Sequence, residues 1–227
     1  PDQYEEMLHY DVRPAVYTEE MADAISEAAV RLNATAHFHI KIDTGMGRIG
    51  FPVCEKSADI IERISRLPNV ELEGMFTHFA KADEEDKTYT MMQHDRFMWM
   101  KGQIEKKGVS IRYFDCDNSA GIIDLPDMRH DLARAGISTY GMYPSDEVNK
   151  EAVDLKPALR LISHVSFVKD VDAGTSISYG GTFTAPKRMR VATIPVGYGD
   201  GYPRSLSNKG YVLIHGKRAR ILGRVCM

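Results

Sequence analysis

The sequence predicts an α/β domain on a parallel sheet, followed along the chain by a smaller β-rich domain. Three observations carry this reading. Strand and helix patterns alternate through the first part of the chain, as they do where helices connect parallel strands. From about Lys156 strand patterns follow one another across glycine turns, with no helix pattern between them. Four polar clusters fall at, or just past, the C-terminal ends of the predicted strands. We place the domains at residues 1–153 and 154–227, with the polar stretch Tyr143–Lys156 as the hinge.

The elements follow in order. The opening Pro1–Glu6 is acidic and helix-like, and lacks the basic and apolar regions of a secretory signal. Phe38, Ile40 and Ile42 alternate with His37, His39, Lys41 and Asp43, the period of two that marks a strand. Ser57 is placed to cap a helix carrying Ile60, Ile61, Ile64 and Leu67, which Pro68 ends. A second strand runs from Leu72 to Thr77. A long helix from about Lys87 to Lys107 bears Met92, Phe97, Met100 and Ile104, with Gly108 just beyond. Arg112–Cys116 and His130–Arg134 continue the strand series. In the second domain the strands are Ala158–Val171, Ser176–Thr184, Arg190–Tyr198 and Tyr211–Arg220, with turns such as Asp172-Ala173-Gly174 and His215-Gly216-Lys217.

Bulk properties narrow the function. The 227 residues are 43% hydrophobic and 27% charged with a net charge of -3, so neither nucleic acid nor an anionic membrane is an implied partner. No apolar run approaches the ~20 residues of a membrane helix. Cys54, Cys116 and Cys226 are widely spaced and odd in number, which fits reduced thiols in a cytoplasm. The chain begins without methionine and stops within the strand-like Val225-Cys226-Met227, the pattern expected of a fragment.

The polar clusters are Asp43–Arg48, Thr77-His78-Phe79, Cys116–Ser119 and Arg134–Ile137. In a β/α barrel the active site is built from the loops at that end of the strands. Lys41 lies on the polar face of a strand and points inward, where a bare cation is costly. It either pairs with Asp43, reaches the rim, or is neutralised. Asp43–Arg48 joins two glycines to a cation that suits an anionic group, and it reads equally as a turn. His78 reads as a core histidine or a site residue. Asn118-Ser119 and the amides of Gly136 and Ile137 can cradle a phosphate, or form plain loops. Tyr179 in Ser178-Tyr179-Gly180-Gly181 is most simply a hairpin residue.

The segments His39–Gly50, Thr77–Asp83, Ala133–Ile137 with Tyr140-Gly141, Ser178–Thr182, Ile194–Tyr202 and Gly223–Met227, in this order, resemble the alanine racemase family. The resemblance implies a partial (β/α)8 TIM-type barrel that binds pyridoxal 5'-phosphate, then a β-rich domain. It implies a cytoplasmic homodimer with shared active sites that interconverts L- and D-alanine for peptidoglycan. It assigns Tyr179 as the catalytic tyrosine that exchanges the α-proton, reaching across the dimer. Arg48 corresponds to the arginine at the cofactor's phenolic oxygen and the substrate carboxylate. Lys41 corresponds to a lysine carbamylated in many members, Arg134 to the arginine facing the pyridine nitrogen, and His78 to a residue orienting the tyrosine network. Ser119, Gly136 and Ile137 match the phosphate cradle, Met227 matches the substrate pocket, and Tyr198 and Arg204 match positions on its approach.

One departure is large: the family's cofactor lysine, followed by Ala-Asn-Ala-Tyr-Gly-His-Gly, is not found in this sequence. That lysine is also the second catalytic base, so these residues alone are expected to be inactive. Competing readings are a serine or broad-specificity racemase, a non-enzymatic pyridoxal-phosphate-binding barrel protein, and a fold-related decarboxylase. The β-rich half weighs against the carrier, and the lack of a catalytic cysteine motif weighs against the decarboxylase.

Overall fold

A computed structural model describes residues 3–227. Pro1 and Asp2, the start of the acidic opening, lie outside the described residues. The chain divides into two compact units, Pro1–Leu159 and Arg160–Met227.

The first unit opens with α1 (Tyr4–His9) and the short β1 (Ala15–Val16). Helix α2 (Glu19–Leu32) starts on Thr18, whose Oγ1 accepts from the Met21 N–H at 3.2 Å, satisfying one of the free amides of its first turn. It ends at Asn33 in a left-handed conformation. β2 (Ala36–Asp43) buries Phe38, Ile40 and Ile42, as the alternation predicts. β3 (Phe51–Pro52) pairs briefly beside it, and α3 (Glu55–Ile64) follows. Ser57 does not cap α3: the N-cap is Cys54, and Ser57 sits inside the first turn with its Oγ 3.3 Å from the Cys54 Sγ. The extended backbone at Cys54 makes the break one turn earlier than the serine suggested.

β4 (Val70–Phe76) pairs parallel with β2, and the register shifts between Phe38 and His39. Gly74 opposes His39 at this shift, and a Cβ there would stand 2.6 Å from the imidazole, so only glycine lets the ring lie against the strand. Helix α4 (Thr88–Lys106) buries Phe97, Met100 and Ile104 against the sheet, each burial contributing roughly 1.5–3 kcal/mol. It stops where Gly108 turns left-handed (φ 76°) and the Gly108 and Val109 amides bond back to Glu105 and Ile104. β5 (Tyr113–Asp115) completes a parallel sheet in the order β1-β2-β4-β5, and α5 (Ser119–Asp124) leaves it.

His130–Arg134, expected as a strand, forms only an isolated parallel bridge between Ala133 and Asp117. The Asp131 and Leu132 amides both bond the Phe114 carbonyl, and the Asp131 carboxylate accepts from the Phe114 N–H, so the backbone is held to β5 irregularly. Tyr143–Lys156, expected as a hinge, packs on the first unit: Val148 is buried, and the Ser145 Oγ donates to the Asp83 carbonyl at 2.6 Å.

In the second unit every strand pairing is antiparallel. β6 (Phe167–Val171) pairs β9 (Met189–Thr193), and Ala158–Ser166, expected within the strand, lies before it. Ser176–Thr184 is not one strand but two, β7 (Ser176–Ile177) and β8 (Phe183–Thr184), joined by a helical turn at Tyr179–Gly181. Tyr198 falls beyond the end of β9, in a second such turn. β10 (Tyr211–Ile214) and β11 (Lys217–Arg220) form a hairpin across His215-Gly216. Among the described residues no helix is long and apolar enough to cross a membrane.

Candidate active site

The four polar clusters of the first unit meet at one end of its sheet. Thr44, one residue past β2, and Thr77, one past β4, share a hydrogen bond of 2.8 Å between their hydroxyls. Arg134 arrives beside Thr77, donating one guanidinium nitrogen to Asp115 at the end of β5 and the other to the Thr77 carbonyl at 2.7 Å. The guanidinium also lies over the Phe76 ring at 4.9 Å. Burial pulls Arg134 down only to about 10, so it stays charged at neutral pH.

His78 stands 3.4 Å from the same guanidinium through its Nδ1. With a cation as its neighbour that nitrogen takes the acceptor role, leaving the hydrogen on Nε2. Burial and the charges of Arg134, Lys41 and Arg48 push His78 down to about 4, so it is neutral in use.

Lys41 is buried, at 2% exposure. It neither pairs with Asp43 nor reaches solvent, the two ordinary outcomes weighed from the sequence. Asp43 instead accepts from the Gly45 and Gly47 amides, at 3.0 and 2.9 Å. The Lys41 ammonium has the Ile42 carbonyl at 3.4 Å and the Phe76 ring at 4.9 Å, and no ion pair among the described residues. Burial, with the positive charge of Arg134, lowers it to about 7. A large fraction is therefore the nucleophilic free amine near neutrality.

Ser119, in the first turn of α5, gathers donors. The Gly136 N–H (2.9 Å), the Ser138 N–H (3.2 Å) and the Ser138 hydroxyl (3.1 Å) all converge on its Oγ. The Gly136 and Ser138 amides and the two serine hydroxyls thus stand together on small residues, donors of the kind an anionic oxygen requires, and the residues present fit a phosphate group. Next to Ser119, Asp117 is buried with no hydrogen-bond partner on either carboxylate oxygen among the described residues. Burial raises it to about 6.

The structure thus brings together Lys41, His78, Arg134, Ser119 and Gly136. Arg48 is exposed, makes no hydrogen bond among the described residues, and acts on Lys41 and His78 through its charge. The Ile137 side chain is exposed. Tyr179 and Met227 belong to the second unit and are 73% and 77% exposed. There the Tyr179 turn is held by the Ser178 hydroxyl on the Arg224 carbonyl (2.7 Å), and the Gly199 N–H donates to the Met227 carbonyl (2.8 Å). Arg204 lies over the Tyr198 ring at 5.9 Å. Sequence reasoning missed Ser138 and Asp115. The aspartate two residues before Asp117 and the serine just past Ile137 were the available signals.

Comparison with known proteins decides the family. Residues 1–144 match the alanine racemase N-terminal domain, and residues 158–227 match the alanine racemase C-terminal domain. The chain belongs to the alanine racemase family. It is 46% identical over 224 residues to the alanine racemase of Clostridium tetani, covering 98% of this chain and 58% of that protein. The solved structure of the alanine racemase of Clostridium difficile 630 superposes with a TM-score of 0.92 at 40% identity, over 100% of this chain and 59% of that one. A Bacillus anthracis alanine racemase with bound L-Ala-P gives 0.87 at 33% identity, again over 100% and 59%. The chain therefore spans about three fifths of the length of these alanine racemases, taking in part of the β/α barrel and the β-rich domain.

Proposed function

We propose that the whole protein is a pyridoxal-phosphate-dependent alanine racemase, acting on L- and D-alanine as a cytoplasmic homodimer that supplies D-alanine for peptidoglycan. The observation that carries this is the convergence on Ser119 beside an anchored Arg134. Donors gathered on small residues suit a phosphate, and a fixed cation suits the ring nitrogen of the cofactor, which supports the reading. When bound, that cofactor makes the substrate's α-hydrogen acidic.

Each residue then has a task. Ser119 and the amides of Gly136, Ile137 and Ser138 hold the phosphate. Arg134, a permanent cation, keeps the ring nitrogen unprotonated, which restrains side reactions. Neutral His78 donates from Nε2 and orients its neighbours. Arg48 binds the substrate carboxylate, and Lys41, once carbamylated by CO2 on its free amine, becomes an anion that fixes Arg48. Tyr179 holds or releases the α-proton at its phenolic oxygen, and Met227 lines the substrate pocket. Both come from the partner subunit.

The match of residues 158–227 to the racemase C-terminal domain weighs against a pyridoxal-phosphate carrier, which would lack that domain. To test the reading, the whole protein is loaded with cofactor and supplied with L-alanine or L-serine, and the products are separated on a chiral column. D-alanine formed faster than D-serine is expected. Faster turnover of serine would reassign the substrate, and no racemisation of any amino acid would overturn the reading.

A further inference from the structure

His94 on α4 and His130, in the loop after the turn Pro126–Met128, are both partly buried. Their Nε2 atoms are 3.2 Å apart, with ring centroids at 5.3 Å and planes 21° from parallel. At that centroid separation the rings meet edge to edge, nitrogen against nitrogen, rather than face to face. Such a contact holds when one nitrogen carries a hydrogen and the other offers a lone pair. It fails when both carry hydrogens, because two donors and two positive charges then face each other.

The loop that His130 anchors reaches Arg134 four residues later. From Asp131 to Arg134 its backbone is tied, among the described residues, to β5 and the residues just past it, while the Arg134 side chain is held by Asp115 and the Thr77 carbonyl. The Asp131 and Leu132 amides bond the Phe114 carbonyl at 3.1 and 3.2 Å, and the Arg134 N–H bonds the Asp117 carbonyl at 3.2 Å. The His130 ring is what fastens the loop to α4, through His94 and against Phe97, whose ring is 5.6 Å away.

We propose that His94 and His130 are positioning residues for Arg134: their one shared hydrogen bond clamps the loop to α4, and acid that protonates both rings releases it. Other charged groups face the pair. Asp95 on α4 and Asp131 in the loop favour protonation, and Lys101 on α4 opposes it. Burial is the larger influence and lowers both rings from their ordinary 6.5. With the folded values depressed, the clamp is intact at pH 6.5 and above, and it is lost only as pH falls through the folded values below 6.5 and both rings are protonated. Only its consequence for the cofactor ring rests on the function proposed above.

Hydrogen exchange by mass spectrometry, on peptides spanning residues 129–136 of the whole protein, tests the clamp. After correction for intrinsic exchange, protection of the Arg134 amide is expected to fall about fivefold between roughly pH 7 and pH 5. In His94→Gln, whose side chain does not titrate, acid should no longer change that protection. In His130→Phe protection should be low at both pH values. Wild-type protection equal at both pH values, an acid response in His94→Gln like the wild type's, or full protection in His130→Phe would each overturn the clamp. Exchange is read without substrate, so its failure leaves the racemase reading standing, and an inactive enzyme leaves the clamp standing.

Discussion

Arg134 and Asp115 form an ion pair whose carboxylate is only 6% exposed, and the same guanidinium is braced on the Thr77 carbonyl at 2.7 Å. One arginine thus ties together the ends of β4 and β5. Asp115→Asn would leave that cation without its partner, and a loss of about 2 kcal/mol is expected from urea unfolding at neutral pH. The value sits below the ~3–5 kcal/mol of a fully buried pair, since 35% of the Arg134 side chain is exposed. An unchanged unfolding midpoint would show that the pair does not stabilise the fold.

Asp117→Asn should act in the opposite direction. The folded value of Asp117 is raised from 3.8 to about 6, so its favourable contribution is complete below pH 3.8 and is lost as pH rises through 6. Removing the charge is expected to stabilise the protein by about 2 kcal/mol above pH 7 and to change little below pH 4. Thermal melts across this range read the difference directly. A variant less stable than wild type at pH 8 would mean that the carboxylate has a partner in solution.

Lys41 gives a signature at alkaline pH. Its folded value is depressed from 10.5 to about 7, so stability should rise with pH between those limits, at up to about 1.4 kcal/mol per pH unit. Lys41→Met should flatten that slope. In labelled bicarbonate the wild type is expected to show one carbamate carbon resonance that the variant lacks. A spectrum without that resonance would remove the carbamate from the site.

Ser119→Ala deletes the oxygen on which three donors converge. Pyridoxal phosphate should bind the whole protein about tenfold more weakly, equivalent to roughly 1.4 kcal/mol. Pyridoxal without its phosphate should bind the two forms alike. Equal weakening of both ligands would move the phosphate elsewhere.

Tyr179→Phe in the whole protein should slow α-proton exchange from one enantiomer of alanine more than from the other, because the proposed role puts the tyrosine on one face only. Solvent-deuterium incorporation into D- and L-alanine measures this. Losses that are equal and negligible in both directions would end the tyrosine assignment.

Much of the first unit was legible because its elements are regular. The alternation through Phe38, Ile40 and Ile42 fixes β2, and the spacing of Phe97, Met100 and Ile104 fixes the buried face of α4. His130–Arg134 misled because a strand pattern there is held by an aspartate side chain and one shared carbonyl rather than by a ladder. The turn at Tyr179 was hidden inside a strand-like run, since Ser178 takes a positive φ of 65° that its residue type does not announce. Ser138 went unseen because a serine in a loop carries no period.

By itself the sequence determined the succession of elements, the motifs that place the chain among the alanine racemases, and which residues stand at strand ends. These follow from local periodicity and from the order of short motifs, both written along the chain. Only the tertiary structure decided that Arg134 takes Asp115, that Lys41 is buried with no ion pair among the described residues, and that Ser138 joins Gly136 on Ser119. Those facts depend on burial and on contacts between residues far apart in the chain, and a side chain's charge state is set by its surroundings rather than by its neighbours in sequence.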